Sequence, residues 1–504
     1  MKKLSKLQLT WYGIAGIGPN MLNLMVGSYL CDALMVEGFE KNVENWTYLN
    51  KTLVVIGLWS IFVFISKIID GVIDIPLGSW TDRLKTKWGN RRPALLVGIA
   101  LMTLAFFMFL ITPVKDQSVF NTIWFGFWLA AFYTFYTLTM VTYYATFSEV
   151  TKNEVDRVYL SNVKSTVDII YFVLGYALVP MMVGNFNIRI LAIASFTLMA
   201  SMIIPFVLLK ERSTLDKDVA LYKAEHPEDE EAQKEEAPKM LKSLFYTLKN
   251  KDFILWMVIY AALQFGLSMY LTGFNVYYSG TMGFEGFKVT LCNIAGFGPV
   301  PFTLILYNFI SKKKGFRFAF RYSLIMFSIG MLIGVFCRPT IIPNDTARLI
   351  VSIAASFICS FGIGSFFSVS YVIPSQISVD EKKKTGVSHP AMYFAVQGLF
   401  SAGISAIATG LIWINVKSIQ ANYQIMYNPV TENFFTKIIG KIISGINDFF
   451  AFFFNPNGGA GLLFLFVAIG CVVACIFTLF LPKSLRDVGK VKGEAVIEKP
   501  VENE

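Results

Sequence analysis

Three ionisable residues stand at helical spacing within an otherwise apolar stretch of the chain. In ISKIIDGVIDIPLG, Lys67, Asp70 and Asp74 are separated by three and four residues, so on an α-helix their side chains share one face. Two carboxylates one turn apart in an apolar environment resist being ionised together, so either one is protonated or a cation binds between them. Carboxylate oxygens are preferred ligands of hard cations. The spacing therefore predicts an ion-coupling site at Asp70 and Asp74 for sodium or a proton.

Salt bridges are the alternative interpretation of these charges. Lys67 and Asp70 could form an internal salt bridge, with Asp74 near the water boundary, but Asp74 would then still need a partner of its own. Lys164 and Asp168 are also one turn apart, and a mutual salt bridge would satisfy both charges. The alternative is that Lys164 faces a cavity and binds a substrate hydroxyl or carboxylate. The two interpretations fit the sequence equally well.

The charged residues are informative because the rest of the chain is so apolar. Of 504 residues, 55% are hydrophobic and 15% are charged, and the mean hydropathy is +0.56, which excludes an ordinary soluble protein. A membrane-spanning helix needs about 20 mainly apolar residues, and an ionisable side chain inside one is expected to face a cavity or a partner. We therefore predict an all-α membrane protein with twelve transmembrane helices. The uncharged runs are 7–31, 52–66, 94–114, 117–148, 169–188, 190–209, 253–284, 289–311, 322–337, 349–379, 390–416 and 449–482.

The formal charge of +10 indicates topology rather than a nucleic-acid partner. A nucleic-acid-binding protein carries its basic residues on a solvated face, whereas here they gather in alternate short loops at 83–92, 312–321 and 382–384. The positive-inside rule places these loops and both termini in the cytoplasm. We expect a multi-pass protein of the cell membrane, embedded in the lipid bilayer and acting as a monomer. The six cysteines lack C-x-x-C spacing, which argues against zinc or a disulfide framework.

The spans divide into two sets of six. We predict an N-terminal bundle at 1–210, a charged cytoplasmic linker at 211–250, a C-terminal bundle at 251–482 and a cytoplasmic tail at 483–504. An insertion at about 417–450 is expected outside, and an amphipathic surface helix or an ordered loop fits it equally well. This organisation is typical of transporters that bind substrate between two halves at mid-membrane. Channels and receptors remain alternatives at this point.

Polar and aromatic side chains within the spans are candidate substrate contacts. Aromatic faces and hydrogen-bonding edges suit a polyol, although packing or interfacial anchoring competes as the explanation for any single Tyr. No nucleophile triad, phosphate loop or metal cluster is evident, so we expect no enzymatic activity. The candidates are Asn20, Lys67, Tyr143, Tyr144, Lys164, Asp168, Asn275, Tyr393 and Gln397, with Asn23 and Gln264 among other polar residues in the spans.

Three segments resemble a known family. KIIDGVIDIPLGSWTDRLKTKWGNRRP resembles the helix 2 and loop 2–3 signature of the glycoside-pentoside-hexuronide:cation symporters, the melibiose permease-like branch of the major facilitator superfamily. SEVTKNEVDRVYLSNVK and PSQISVDEKKKTGVSHPAMY are similar to its loop 4–5 and loop 10–11 patterns. The resemblance implies the major facilitator fold of two six-helix bundles. It also implies sodium-, lithium- or proton-coupled symport of a sugar by alternating access, with no cofactor beyond the coupling ion.

The resemblance also assigns roles to residues. It places the cation at Asp70 and Asp74, with help from Thr137, and it places Lys164 near the sugar. The family's sugar-binding acids in helices 1 and 4 are replaced by Asn20 and Met140. In the same way, Gln397 stands in place of a helix 11 lysine and Gln376 in place of an acid in loop 10–11.

These departures bear on the substrate. A pocket that has lost acids and kept its lysines favours a hexuronide or another acidic glycoside over a neutral disaccharide. A cation-coupled lysolipid carrier is an alternative, as is a nutrient sensor that keeps the fold without transport. A sensor, however, has no need of a coupling ion and hence of both helix 2 carboxylates.

Overall fold

Twelve helical segments in the described part of the chain are assigned as membrane crossings. The computed structural model describes residues 4–82, 84–151, 154–218, 247–385, 390–420, 422–427, 434–455 and 457–486, and no β-strand occurs in these ranges. Eleven helices in the described ranges are long and apolar enough to span a bilayer. A twelfth crossing, the first in the chain, is divided into two shorter helices.

The helices are numbered in chain order. In chain order they are α1 (Lys6–Ile14 and Ile17–Met25), α2 (Ile56–Asp82), α3 (Arg91–Leu110), α4 (Val119–Val150), α5 (Glu154–Val183), α6 (Ile188–Leu208), α7 (Lys251–Thr281), α8 (Phe287–Lys314), α9 (Phe316–Phe336), α10 (Asp345–Thr385), α11 (Pro390–Ser405, Ala406–Trp413 and Ile414–Lys417), α12 (Phe434–Phe454) and α13 (Gly458–Phe480). All except α12 cross the membrane. An even number of crossings brings both ends of the chain to one face, here called the terminal side, and the opposite face is the remote side.

The last predicted span differs from the structure. The run at 449–482 is not one helix, because its first residues belong to α12, which ends at Phe454, and the crossing α13 starts at Gly458. Gly458 has a φ of +55°, and a Cβ there would lie 1.9 Å from the carbonyl oxygen of Ile419, so the chain turns sharply at this point. The sequence prediction was too long because a Phe-rich surface helix and a span are equally apolar at this junction.

The insertion predicted at about 417–450 is helical over Phe434–Phe454. α12 carries exposed apolar residues, among them Phe434, Phe435 and Ile442, together with exposed Lys437 and Lys441. Of the two alternatives left open by the sequence, the amphipathic helix is therefore the one observed over these residues.

Three spans contain π-helical turns. They occur at Val26–Leu30 after α1, at Tyr277–Thr281 at the end of α7, and at Ala406–Trp413 within α11. A π-helical turn is rare and often occurs at functional sites. All three lie toward the remote end of their crossings, where the two halves of the molecule meet.

The described start of the predicted linker is held against the N-terminal half. The Glu211 carboxylate accepts hydrogen bonds of 2.9 Å from the backbone N–H groups of Arg91 and Arg92, at the N-terminus of α3. Asp216 pairs with Lys85 at 2.7 Å. A carboxylate at a helix N-terminus compensates unpaired backbone donors. Residues 219–246, the greater part of that linker, lie outside the described residues.

Hydrogen bonds between the two halves gather at the remote side. Lys417 pairs with Asp32 at 2.7 Å, and the two side chains are 0% and 5% exposed. Asn457 Nδ2 donates to the Gly38 carbonyl at 2.5 Å, and Lys41 pairs with Glu285 at 3.0 Å. These contacts close the remote end of the interface between the halves.

α2 and α11 separate toward the terminal side. At Gly71 the two helices are so close that a Cβ would lie 2.2 Å from the Cβ of Ala402. One turn nearer the terminal side, Asp74 is exposed and Gly398 has no atom within 4 Å of where its Cβ would be. The halves are therefore in contact from the remote side to about Gly71, and they diverge from there toward the terminal side.

Candidate cation and substrate site

The divergence of the halves creates a central cavity of about 710 Å³. Its walls come from both bundles, and Asp74 and the 37% exposed Tyr144 stand on its terminal-side portion. Since the remote side is closed, the cavity opens toward the terminal side. Its polar lining residues are Lys67, Asp70, Asp74, Tyr136, Thr137, Tyr144, Tyr260, Gln264, Ser370, Gln397, Ser401 and Ser405.

The two helix 2 carboxylates both face this cavity. Asp70 accepts a hydrogen bond of 2.9 Å from the Thr137 hydroxyl, which comes from α4. The structure thus brings together the three residues that the sequence suggested for a cation. Asp70 lies at the inner end of this set and Asp74 lies one turn closer to the open terminal side, so a cation can reach the pair from that side.

Lys67 is not bonded to either carboxylate. Among the described residues no ion pair joins it to Asp70 or Asp74; instead its ammonium lies 4.1 Å from the centroid of the Tyr133 ring. The salt bridge considered from the sequence is therefore absent. A lysine held by a cation–π contact keeps its N–H donors available for another ligand.

A smaller inner cavity of about 300 Å³ adjoins the central one. The two share Lys67, Phe172, Gln264, Leu271 and Ser405, so Lys67 stands where they meet. Asn23 contributes an Oδ1 atom that is buried and lacks a hydrogen-bond partner. The remaining polar residues around this cavity are Asn20, Ser28, Tyr171, Tyr176, Ser268, Thr272 and Thr409.

Lys164 and Asp168 form the ion pair that was one of the two interpretations. Asp168 also accepts a hydrogen bond of 3.1 Å from Asn20, and Asn20 accepts one of 2.9 Å from Tyr136. The Lys164 ammonium lies 4.8 Å from the centroid of the Tyr144 ring. Neither charged residue is among the described residues that line the central or the inner cavity. The pair instead holds Asn20, Tyr136 and Tyr144, which are.

Three other candidates lie away from both cavities. The buried Tyr143 donates to the backbone carbonyl of Tyr12 and stacks on that ring at 5.4 Å between centroids. Tyr393 accepts a hydrogen bond from Asn250. Asn275 accepts a hydrogen bond from Asn293 on α8. The structure does not bring these three side chains to either cavity. Each helix is rotated so that they contact neighbouring segments of the chain, and the sequence does not show this rotation.

Gln397 does line the central cavity, but each of its two side-chain polar atoms already has a hydrogen-bond partner in the protein. Its Nε2 donates to the Ser370 carbonyl at 2.8 Å and its Oε1 accepts from Trp256 Nε1 at 2.7 Å. This side chain therefore ties α11 to α7 and α10. It is more suited to shaping the cavity than to exchanging hydrogen bonds with a solute.

Sequence reasoning missed the small hydroxyl residues of the cavities. On α7, Ser268 and Thr272 follow Gln264 at intervals of four, and on α11 Ser405 and Thr409 follow Ser401 in the same way. Residues four apart lie on one helix face, so each set forms a polar stripe. This spacing is the signal that could have found them.

A comparison with known families decides the classification. The family described as "MFS/sugar transport protein" matches residues 11–446, which includes eleven of the twelve crossings. The chain belongs to this family. Membership of the major facilitator superfamily is thereby confirmed, and the protein is a membrane-embedded transporter. No curated protein matches the sequence of this family member.

Solved structures share the fold of this MFS protein at low sequence identity. The nucleoside transporter NupG is 14% identical with a TM-score of 0.58, over 94% of this chain and 98% of that one. A bacterial homologue of the human lysosomal transporter Spinster, inward-facing and occupied, is 12% identical with a TM-score of 0.54, over 94% and 96%. A POT family transporter in complex with a thioalcohol-conjugated peptide is 12% identical with a TM-score of 0.52, over 95% of each chain. These similarities establish the fold.

Proposed function

We propose that this MFS protein is a secondary active symporter that couples sodium or proton entry to the uptake of a sugar or glycoside. The observation that carries the proposal is the position of Asp70 and Asp74. Both face a cavity between the two halves, with Thr137 bonded to Asp70, at a depth where substrate sites of such transporters lie. Carboxylates in a membrane span are functional residues by default because they are unfavourable there.

The charges explain how one cation could control the site. Lys67, Asp70 and Asp74 together carry a formal net charge of −1 when all are ionised, so one bound monovalent cation or proton neutralises the cluster. Neutralisation lowers the free energy of enclosing the cluster between the halves and favours the conformation that binds substrate. Rocking of the two halves then exposes cation and substrate to the other side of the membrane.

The cavity lining supports a polyhydroxylated substrate. Hydroxyl and amide groups line both cavities. The α7 and α11 stripes line them from the C-terminal half, and Phe172 offers an aromatic face shared by the two spaces. Lys67 is the cation nearest to both. We infer that an acidic sugar such as a hexuronide places its carboxylate near Lys67 and its hydroxyls among the stripes.

The same proposal fixes the orientation. The positive-inside rule predicts that the basic loops and both termini lie on the cytoplasmic side of the cell membrane. In this orientation the central cavity opens toward the cytoplasm. A monomer suffices, since both carboxylates and the whole cavity come from one chain.

A lysolipid carrier has less support. An apolar groove of about 620 Å³ opens beside Gly298 and Pro299, where α8 is interrupted between Phe297 and Val300. Its described lining residues include none that line the central or the inner cavity. A lipid in that groove would not contact Asp70 or Asp74. If the protein were a non-transporting sensor, the exposure of the Asp74 carboxylate to the cavity would have no function.

Transport by reconstituted protein tests the proposal. We expect imposed sodium or proton gradients to drive accumulation of a sugar, and we expect Asp74→Asn to abolish accumulation while leaving downhill exchange. Asp116→Asn is the control, because Asp116 is an exposed loop carboxylate paired with Lys51 on the remote side. Normal uphill transport by Asp74→Asn would refute cation coupling at this site.

Ligand screening identifies the substrate. Thermal unfolding of the purified protein would be recorded with neutral sugars and with uronides, in sodium and in choline buffers at several pH values. Stabilisation that requires both a sugar and a cation identifies both together. Stabilisation by neutral sugars alone, with no uronide effect, would refute the acidic-sugar assignment but not symport.

A further inference from the structure

We propose that a groove at the terminal-side ends of α8 and α9 binds the phosphate headgroup of an anionic phospholipid. The groove has a volume of about 310 Å³ and is separate from the cavities between the halves. Its described lining residues are Phe309, Ile310, Lys313, Lys314, Phe318 and Tyr322. These combine two cations with apolar walls, which is the composition that an amphiphile with a negative headgroup requires.

The two lysines are exposed, and each has its ammonium group over an aromatic wall of the groove. The Lys313 ammonium lies 4.3 Å from the centroid of the Phe309 ring, and the Lys314 ammonium lies 4.5 Å from that of Phe318. A cation over an aromatic face retains its N–H donors. Each wall of the groove therefore presents an ammonium group, and a phosphate between them can accept from both.

The positive charge of this region is not balanced by acidic residues. Residues 286–344 contain five lysines and arginines between 312 and 321 but no Asp or Glu. No ion pair involves these basic residues in the part of the chain that the structure describes, and the Nε of Arg321 is buried without a hydrogen-bond partner. The basic loop at 83–92 differs, since Lys85 pairs with Asp216 and the start of α3 binds Glu211.

The position of the groove favours a lipid over a soluble phosphate. Phe309 continues a strongly exposed apolar face of α8 that includes Phe302 and Ile305, which are 74% and 67% exposed. This face lies on the terminal-side part of α8 and meets the groove at the end of the helix, where the headgroups of the terminal-side leaflet would lie. An acyl chain can lie along α8 while the headgroup contacts Lys313 and Lys314. Basic pockets of this kind between membrane helices select anionic lipids.

The test compares lipid binding by the full-length protein and by two charge-matched variants. Lys313→Gln/Lys314→Gln removes the groove cations, whereas Lys51→Gln/Lys115→Gln removes the same charge from remote-side loops. Native mass spectrometry would count retained phosphatidylglycerol and phosphatidylcholine, and thermal unfolding would be followed with each lipid. Unchanged unfolding of both variants in phosphatidylcholine controls for folding.

We expect wild type and the loop variant to retain phosphatidylglycerol in preference to phosphatidylcholine. The groove variant should bind phosphatidylglycerol about 30-fold more weakly, or about fivefold for each lysine. Soluble glycerol 3-phosphate should neither bind nor stabilise. Equal retention by the two variants, or no preference for the anionic lipid, would overturn the proposal. Equal stabilisation by glycerol 3-phosphate would overturn the lipid in favour of a free phosphate.

Discussion

Lys417 and Asp32 form a buried ion pair that joins the two halves of the transporter, although they are 385 residues apart in the chain. Trp413 donates a further hydrogen bond of 3.3 Å to the second carboxylate oxygen of Asp32. The pair is buried, so each charge depends on the other for compensation. This buried ion pair is thus one of the contacts that hold the remote side closed.

Breaking this pair should open the remote side. Asp32→Asn leaves the Lys417 ammonium buried without a counter-charge, which typically costs about 3–5 kcal/mol in the conformation that buries it. The equilibrium should shift toward the state in which Lys417 is hydrated. Labelling of a Ser28→Cys reporter in the inner cavity with a membrane-impermeant maleimide from the remote side would measure this, with the native cysteines alone as background.

The double variant separates charge from packing. Asp32→Asn/Lys417→Gln removes both charges and should return reporter labelling most of the way to the wild-type level. If labelling by Asp32→Asn equals that of wild type, the pair does not control closure.

The Thr137 hydroxyl should strengthen cation binding. It donates to Asp70 at 2.9 Å, and a hydrogen bond to a charged group contributes about 1.5–3 kcal/mol. We expect Thr137→Val to weaken the apparent cation affinity by about 10-fold or more, because Asp70 loses its orientation, and Thr137→Ser to keep most of it. The measurement is the cation dependence of uptake or of thermal stabilisation.

Thr134→Val is the matched control. Thr134 lies on the same helix, where its hydroxyl donates to the Ala130 carbonyl and not to the cation site. Equal losses in Thr134→Val and Thr137→Val would assign the effect to helix α4 itself.

The contact of Gly71 with α11 should be intolerant of a methyl group. A Cβ at Gly71 would lie 2.2 Å from the Cβ of Ala402, so Gly71→Ala forces the halves apart in this conformation. We expect transport to fall about 10-fold or more, and Ala402→Gly to restore it in the double variant by removing the opposing methyl. The assay is initial uptake rate at matched expression.

Gly57→Ala provides the comparison on the same helix. A Cβ at Gly57 would have no atom within 4 Å, so this variant should transport as wild type does. A Gly71→Ala defect that Ala402→Gly does not relieve would argue that the glycine acts through the adjoining carboxylates.

Lys67 should determine the charge preference of the substrate. Lys67→Gln keeps an N–H donor on a side chain one atom shorter and removes the charge, so binding of a uronide should weaken about 10-fold more than binding of the matching neutral sugar. Competition for binding or uptake by the two sugars gives the ratio. Equal losses for both sugars would show that Lys67 acts on Asp70 rather than on the substrate.

Much of the fold could be predicted because the membrane makes each span a long apolar run. The twelve crossings follow from that pattern, and the helix 2 carboxylates stand out against it. The last crossing was misplaced because the Phe-rich end of α12, at residues 449–454, is as apolar as α13. Apolarity alone does not distinguish a helix that lies on the membrane from one that enters it.

The contacts across the interface could not be predicted in the same way. Spacing within one helix correctly grouped Lys67, Asp70 and Asp74, but it does not show which side of α4 or α7 faces the other half. Tyr143 was proposed as a substrate contact and packs on α1, whereas Ser268 was overlooked and lines the inner cavity. Lys417 gave no signal because it follows the apolar run at 390–416 and resembles an ordinary end-of-span lysine.

The π-helical stretch Ala406–Trp413 ends where α11 resumes toward Lys417. A π-helical turn holds more residues than an α-helical turn, and one residue corresponds to about 100° around an α-helix. The direction in which Trp413 and Lys417 point at Asp32 is therefore set by backbone winding. Rewinding this stretch into regular α-helix would rotate both side chains off the carboxylate while the bundles stayed in place. The winding of the backbone within this one helix would thus control whether the buried ion pair between Lys417 and Asp32 can form.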